Sequence, residues 1–544
     1  MKKQYKSLML LPIIAMSSSF LSGCGGIARN NFAYDLDFNA DVSGQTIQMW
    51  SGFGSDINDV IDELLKEFKR LTGINVKYES KSSYDGCLKA VTLAATSGKY
   101  PHIVVGYPDH FASYVKSRIS VRLDYYFEND VYNPTFEPQG ERFKIDDFYT
   151  DYMKENQSIE FDENGKPYTL GVPFNKSTEV LVYNKTFFNY CANQESLKDK
   201  IYVPATYDEL ETVGKNILAF FKDNGLYGKT LYNDGTTEAG SGKKVIIDLS
   251  KMMNPDDAKT SAEKKNAFKP FSYDSQANLF ITTVRQNGGT YTEIDPQTRK
   301  GYLAFDSKET KDGINYLKKL YDENVFGIPE DWGEAKYGSN PFKANKTVMT
   351  LGSSAGVAND APSGNKFEIG TAPVPYRTAD KKYVISQGAN LALLDRGTRE
   401  ERVAAWQLLK FLSKYANGYF CSKTGYYPSC PFAEIAGDDG TSGMWAHAEE
   451  NDDYDGVDYA TWLEEAKDSP STTDQIKAET AEVNLNYYVK DGENWIKFVD
   501  PPFPGSASVR EEVATIPPTV FYNRQTIDEA IEELYGNLHS YVRK

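Results

Sequence analysis

The sequence is poor in the residues that carry most enzyme chemistry. Histidine occurs four times in 544 residues, at His102, His110, His447 and His539. No His-Glu-x-x-His helix is encoded. Five cysteines in so long a chain do not make a disulfide framework. Cys421 and Cys430 are near enough in sequence to bridge a short loop, and the sequence leaves their pairing open. The run GSGKK fails the phosphate-loop spacing, because Thr237 stands where the first glycine belongs, and it reads as a solvated loop. NDDYDGVDYATW resembles a calcium loop in its aspartates but opens on Asn451 and ends on Trp462, where a bidentate glutamate is required. No metal and no cofactor is therefore expected. Positive charge is also scarce: 60 Lys and Arg against 77 Asp and Glu give a net charge of −17, which argues against a nucleic-acid partner. Many carboxylate pairs remain available for glycoside hydrolysis, so a secreted glycoside hydrolase stays open as an alternative.

What the chain does contain begins at its N-terminus. Lys2, Lys3 and Lys6 precede an apolar run from Leu8 to Phe20, and Leu21-Ser22-Gly23-Cys24 follows. A positive stretch, an apolar run too short for a bilayer core of about 30 Å, and small residues before a cysteine make a secretory signal. The ending resembles the lipobox of bacterial lipoproteins. That resemblance implies removal of the signal peptide 1–23, lipidation of Cys24, and attachment to the extracytoplasmic face of the cell membrane. Loss of the three lysines leaves 57 basic against 77 acidic residues, a net charge of −20. Residues 24–43 lack a helical period and read as a lipidated tether.

Beyond the tether the pattern alternates. Gln45–Trp50 has strand character; Ile57, Val60, Ile61, Leu64, Leu65, Phe68 and Leu71 recur at helical spacing until Gly73. A strand at 74–78, a helix at 88–95 and a strand at 103–106 follow. Alternating strands and helices predict α/β architecture, with ligands bound beyond the carboxyl ends of the strands. Residues 228–270 break the alternation and read as a surface insertion, and 436–480 as a second, acidic elaboration.

One segment joins polar residues to an apolar strand: GVPFNKSTEVLVYNKTFF (171–188), with Asn175, Ser177 and Thr178 before Val180–Tyr183. It closely resembles the signature of family 1 extracellular solute-binding proteins, the class that includes maltose- and glycerol-3-phosphate-binding proteins. The resemblance continues in order through QMWSGFGSD (48–56), SSYDG (82–86), TVMTLGSSAGVA (347–358), FEIGTAPVPY (367–376), SQGAN (386–390), AAWQLLKFL (404–412), TGYYPS (424–429) and SVREEV (508–513). It implies a two-lobed α/β fold of the periplasmic-binding-protein type II, with the ligand cleft between lobes. Crossing strands are placed near Glu179–Val180, Val348–Leu351 and Asn390–Leu391. Lobe one then holds 44–179 and 352–390, and lobe two holds 180–351 and 391–544.

Within the family the pattern looks most similar to the glycerol-3-phosphate-binding branch. The carry-over implies ligand contacts from Tyr84, Asp109, Ser177, Ser354, Gly388, Tyr426 and Arg510. Ser177, Ser354 and the Gly388 amide are suited to donate to phosphoryl oxygens, and the Arg510 fork suits phosphate. Asp109 stands where the branch carries glutamate, and Trp50 is a candidate wall. The expected function is capture of glycerol-3-phosphate or a glycerophosphodiester for the membrane subunits of an ABC importer, by a monomer that is not an enzyme. A sugar or short oligosaccharide is the alternative ligand.

Overall fold

The computed structural model describes residues 34–137, 142–335, 337–364, 366–431, 459–489 and 494–543. The signal segment, Cys24, the first part of the tether and residues 451–458 of the calcium-like run lie outside them. Strands are numbered β1 to β16 along the described residues.

Two five-stranded sheets organise the chain. The first holds β1 (Thr46–Ser51), β2 (Asn75–Ser80), β3 (Ile103–Gly106), β4 (Val172–Ser177) and β15 (Gln387–Leu393), in the order β2-β1-β3-β15-β4. β1 is parallel to β2 and β3, whereas β15 runs antiparallel to β3 and β4. Ile47 and Met49 alternate inward on β1, and the central β3 is buried at every position, as a strand covered on both faces must be. The helix Ser55–Thr72 lays Ile61, Leu64, Leu65 and Phe68 against this sheet and ends at Gly73, whose φ of 72° lets its N–H return to Lys69 O at 2.8 Å.

The second sheet holds β5 (Glu179–Asn184), β8 (Phe271–Tyr273), β11 (Phe326–Gly327), β12 (Met349–Ser353) and β13 (Ile369–Ala372), in the order β11-β8-β12-β5-β13. Three smaller pairs complete the set: β6 (Thr230–Tyr232) with β7 (Val245–Asp248), β9 (Thr292–Ile294) with β10 (Gly301–Leu303), and β14 (Tyr383–Ile385) with β16 (Ile496–Phe498). Each large sheet has its own core. Ile47, Phe68, Phe174, Leu391, Trp406 and Leu409 belong to the first; Val180, Leu181, Phe271, Leu279, Leu351 and Val509 belong to the second.

The division of the chain differs from the sequence expectation in three places. β12 and β13 both pair in the second sheet, so residues 352–372 lie in lobe two rather than lobe one, and the chain does not cross at 348–351. β15 pairs wholly with β3 and β4, which moves the second crossing to Ser386 and keeps 387–393 in lobe one. The helices Arg399–Lys410 and Tyr459–Lys467 then pack into the first core, and only the chain beyond them returns to lobe two. A fully buried strand carries the same apolar run in either sheet, so its pairing is invisible in periodicity. The 228–270 insertion is also less superficial than expected. Its tip around Gly240–Gly242 is exposed, but Leu231, Ile247, Leu249 and Phe268 are buried in the second core.

The passes between lobes lie side by side. Thr178 separates β4 from β5; its N–H donates to Ser354 Oγ at 3.1 Å, its carbonyl accepts from Ser354 N at 2.9 Å, and its hydroxyl donates to Asn484. At the second pass Ser386 Oγ donates to Glu155 Oε1 at 2.6 Å, and the other oxygen of Glu155 accepts from the fully buried Lys176 at 2.6 Å. The third pass is the helix Thr472–Val483, which sends Ala478 and Ala481 into the first core and Ile476 and Val483 into the second. Cys421 and Cys430 are both buried with no disulfide between them, so the bridge left open by the sequence is not made.

Candidate functional site

The carboxyl end of the first sheet carries a cluster of tyrosines. Ser83 caps the helix Tyr84–Ala95 by accepting from Gly86 N at 2.9 Å, which places Tyr84 at the first helical position. The Tyr84 ring lies 4.8 Å from Tyr107 and 6.0 Å from Phe53, and its hydroxyl accepts from Asn175 Nδ2 at 3.0 Å. Tyr426 stacks on Phe420 with ring centroids 5.9 Å apart, and its hydroxyl joins the Tyr84–Asn175 pair. Burial pushes the phenols of Tyr84, Tyr107 and Tyr426 above their ordinary values, so they remain protonated donors at neutral pH. Trp50 lies half-buried at the end of β1 with the Lys81 ammonium 3.8 Å from its ring centre.

Lobe two meets this wall through the helix Ser506–Val513, which packs against the lobe-one helix Pro108–Lys116. Arg510 projects from it with 29% of its side chain exposed. Its Nη1 donates to Asp500 Oδ2 at 2.6 Å, and its Nη2 donates to Asn278 Oδ1. Tyr107 and Asp109 of lobe one, with Tyr291 of lobe two, lie within its electrostatic reach. Behind Asn278 stands Glu179, the first residue of β5 and 1% exposed, which accepts from Asn278 Nδ2 at 2.8 Å and from Tyr273 Oη at 2.6 Å. Burial pushes the Glu179 carboxyl up to about 7, against the lowering effect of those two donors and of Arg510.

The structure thus brings Tyr84, Asp109, Tyr426 and Arg510 to the face between the lobes. The other three expected residues serve the hinge. Ser177 is 2% exposed, with its Oγ 3.5 Å from Ser353 Oγ. Ser354 spends its hydroxyl on Thr178 N, and the less buried neighbour Ser353 is better placed to present one. Gly388 has a φ of 86° and accepts from Lys176 Nζ at 3.3 Å; a Cβ there would lie 1.8 Å from Asn175 O. It is a close-approach glycine between β4 and β15. Tyr107, Glu179, Asn278, Tyr291 and Asp500 had no sequence signal as site residues, because each acquires its role only from neighbours far along the chain.

The lobes also touch outside this face. Arg299, in the turn between β9 and β10, lies 4.2 Å over the Phe161 ring and donates to Ser158 O at 3.1 Å, while Lys89 Nζ is 3.7 Å from Glu511. A recess of 450 Å³ lies elsewhere, lined by Lys185, Phe367, Ile369, Gln475, Ile476 and Glu479, and none of the seven expected residues borders it. Among the described residues no group of His, Cys, Asp and Glu has the arrangement to hold a metal ion, and no helix is long and apolar enough to cross a membrane.

Residues 63–439 match the family model described as bacterial extracellular solute-binding protein. No curated protein sequence matches the chain. Among solved structures, the cyclic alpha-maltosyl-1,6-maltose binding protein of Arthrobacter globiformis shares 16% identity at a TM-score of 0.56, over 91% of this chain and 98% of that one. UgpB of Mycobacterium tuberculosis, solved with glycerophosphocholine, shares 15% at 0.58, over 91% and 98%. The GacH receptor of Streptomyces glaucescens, solved unliganded and with acarbose, shares 15% at 0.57, over 92% and 98%. At these identities the likeness is one of fold.

Proposed function

The chain belongs to the bacterial extracellular solute-binding protein family, and from that premise we propose that it captures a carbohydrate outside the cytoplasm for the membrane subunits of an ABC importer. The observation that carries the carbohydrate reading is the state of Arg510. Each of its terminal nitrogens already donates one N–H, to Asp500 and to Asn278, and Asp109 faces it from the other lobe. A phosphate dianion would meet an arginine whose charge is already balanced by Asp500, and it would enter the negative field of Asp109. A sugar asks less: Tyr84, Tyr107 and Tyr426 offer ring faces, and Asp109 is suited to accept from sugar hydroxyls. Two of the similar solved proteins are a maltosyl-maltose-binding protein and an acarbose receptor, which supports the same class.

The second reading is a glycerophosphodiester or glycerol-3-phosphate. It is favoured by the position of Arg510 between the lobes beside the tyrosines, and by the glycerophosphocholine bound to one of the similar proteins. Calorimetric titration with maltotriose, glycerol-3-phosphate and glycerophosphocholine separates the two. Binding of maltotriose alone is the expected result; binding of only the phosphate ligands overturns the carbohydrate reading. Chemically unchanged maltotriose after long incubation excludes the hydrolase alternative. Attachment through lipidated Cys24 belongs to the same proposal, and its check is a Cys24→Ser variant, expected in the soluble rather than the membrane fraction.

A further inference from the structure

A chain of side chains connects the buried hinge strand to the face between the lobes. Glu179 opens β5, immediately after the pass at Thr178, and is enclosed on all sides. Its carboxylate accepts from Tyr273 on β8 and from the amide of Asn278 on the helix Gln276–Gln286. The Asn278 amide is planar, so once its nitrogen is turned toward Glu179 its oxygen points the opposite way, and there it accepts from Arg510. Asp500 takes the other arm of the guanidinium. Glu179 and Arg510 select the same orientation of the Asn278 amide, one from each end. A reversed amide would put an NH2 against the guanidinium, two donors facing each other.

We propose that Glu179 is a positioning residue that acts through Asn278 to aim the Arg510 guanidinium into the ligand cleft, so that the cleft's grip follows the protonation of a buried carboxyl on the hinge strand. The inference rests on the reading of the interlobe face as the ligand site. Ionised Glu179 accepts from both donors and holds the Asn278 amide in one orientation. Protonated Glu179 becomes a donor at one oxygen and a neutral, weaker acceptor at the other, so its hold on the Asn278 amide loosens. The groups that face Glu179 are few: the hydroxyl of Tyr273, the Asn278 amide, the Arg510 charge, and Asp274 beyond the end of β8. Tyr207 and Tyr488 also feel its charge. Burial is the largest influence among these, and it lifts the carboxyl to about 7, where ordinary changes of pH exchange the two forms.

The test reads Arg510 without any ligand. The full chain, labelled with 15N at arginine, is titrated from pH 5.5 to 8.5 by NMR, and the Arg510 Nε–H signal is assigned by its loss in Arg510→Lys. The expected result is a shift of that signal with a midpoint near 7 in the wild type. In Glu179→Gln, which keeps the shape and an acceptor oxygen but cannot titrate, the shift is expected to be absent. In Asn278→Leu it is expected to be absent as well, since the connecting amide is gone. An Arg510 signal that does not move in the wild type, or that titrates unchanged in Glu179→Gln, overturns the proposal. Calorimetry with maltotriose and glycerophosphocholine on the same samples keeps the two claims apart. If the wild type binds neither, the reading of the cleft fails, while the Arg510 titration still decides the relay. Where a probe binds, its affinity is expected to change several-fold between pH 6 and 8 in the wild type and to stay flat in Glu179→Gln.

Discussion

Arg510 and Asp500 are one unit at the scale of single residues. The guanidinium holds the Asp500 carboxylate at 2.6 Å where that side chain is 16% exposed, so removing the arginine leaves a largely enclosed negative charge. Arg510→Ala is expected to lower stability by about 2 kcal/mol, below the range for fully buried pairs because the site is partly open. Adding Asp500→Asn to that variant is expected to restore most of the loss, measured by denaturant unfolding; no recovery would mean that the arginine acts through packing. Glu179 makes a second prediction, on pH. Its folded-state pKa of about 7 lies above the usual 4.5, so between those values the folded protein binds the proton and the unfolded chain has released it. Stability from this group is present below about pH 4.5 and is lost as pH rises toward 7, by up to about 3 kcal/mol. The difference in stability between wild type and Glu179→Gln should therefore shift across pH 4.5–7 and level off above it. A difference constant with pH would refute the raised value.

Among elements, the pairing of β4 with β15 is the most constrained. Gly388 passes so close to β4 that an added Cβ would lie 1.8 Å from Asn175 O and 2.6 Å from Lys176 Cα, and its φ of 86° is strained for any L side chain. Gly388→Ala is expected to cost about 2 kcal/mol or more, because backbone rather than a flexible side chain must yield. It should also disturb Lys176, whose buried ammonium bridges Gly388 O and Glu155. A thermal melt unchanged from wild type would show that β15 moves away at little cost. The helix Ser55–Thr72 needed no such context: its apolar stripe and terminal Gly73 carry its limits locally.

The whole molecule depends on how its lobes meet. Arg299 reaches from the turn between β9 and β10 onto Phe161 and Ser158 of lobe one, away from the tyrosine cluster. A partly exposed cation–π contact is worth about 0.5–1 kcal/mol, so Arg299→Ala is expected to move the closed-to-open equilibrium about two- to five-fold toward open. Small-angle scattering should then give a larger radius of gyration without ligand, and maltotriose should dissociate faster although no residue of the tyrosine cluster has changed. An unaltered radius together with unaltered dissociation would assign the contact no role in closure.

The sequence by itself determined the family and the α/β alternation, because both are local records: ordered short motifs from 48 to 513, and apolar residues at periods of two and 3.6. The four expected residues that lie at the face between the lobes, Tyr84, Asp109, Tyr426 and Arg510, each come from a short stretch of sequence. Which lobe owns 352–372 and 391–393 was decided only by strand pairing, since β12, β13 and β15 carry similar buried runs and differ only in their partners. The same holds for charge. As a residue in SVREEV, Arg510 reads as a cation open to phosphate; the fold sets Asp500 and Asn278 against it, and those contacts span 10 and 232 positions of chain. Composition gives the sign of a side chain, but the partners that remain to neutralise it are set by tertiary packing, where distance along the chain no longer counts.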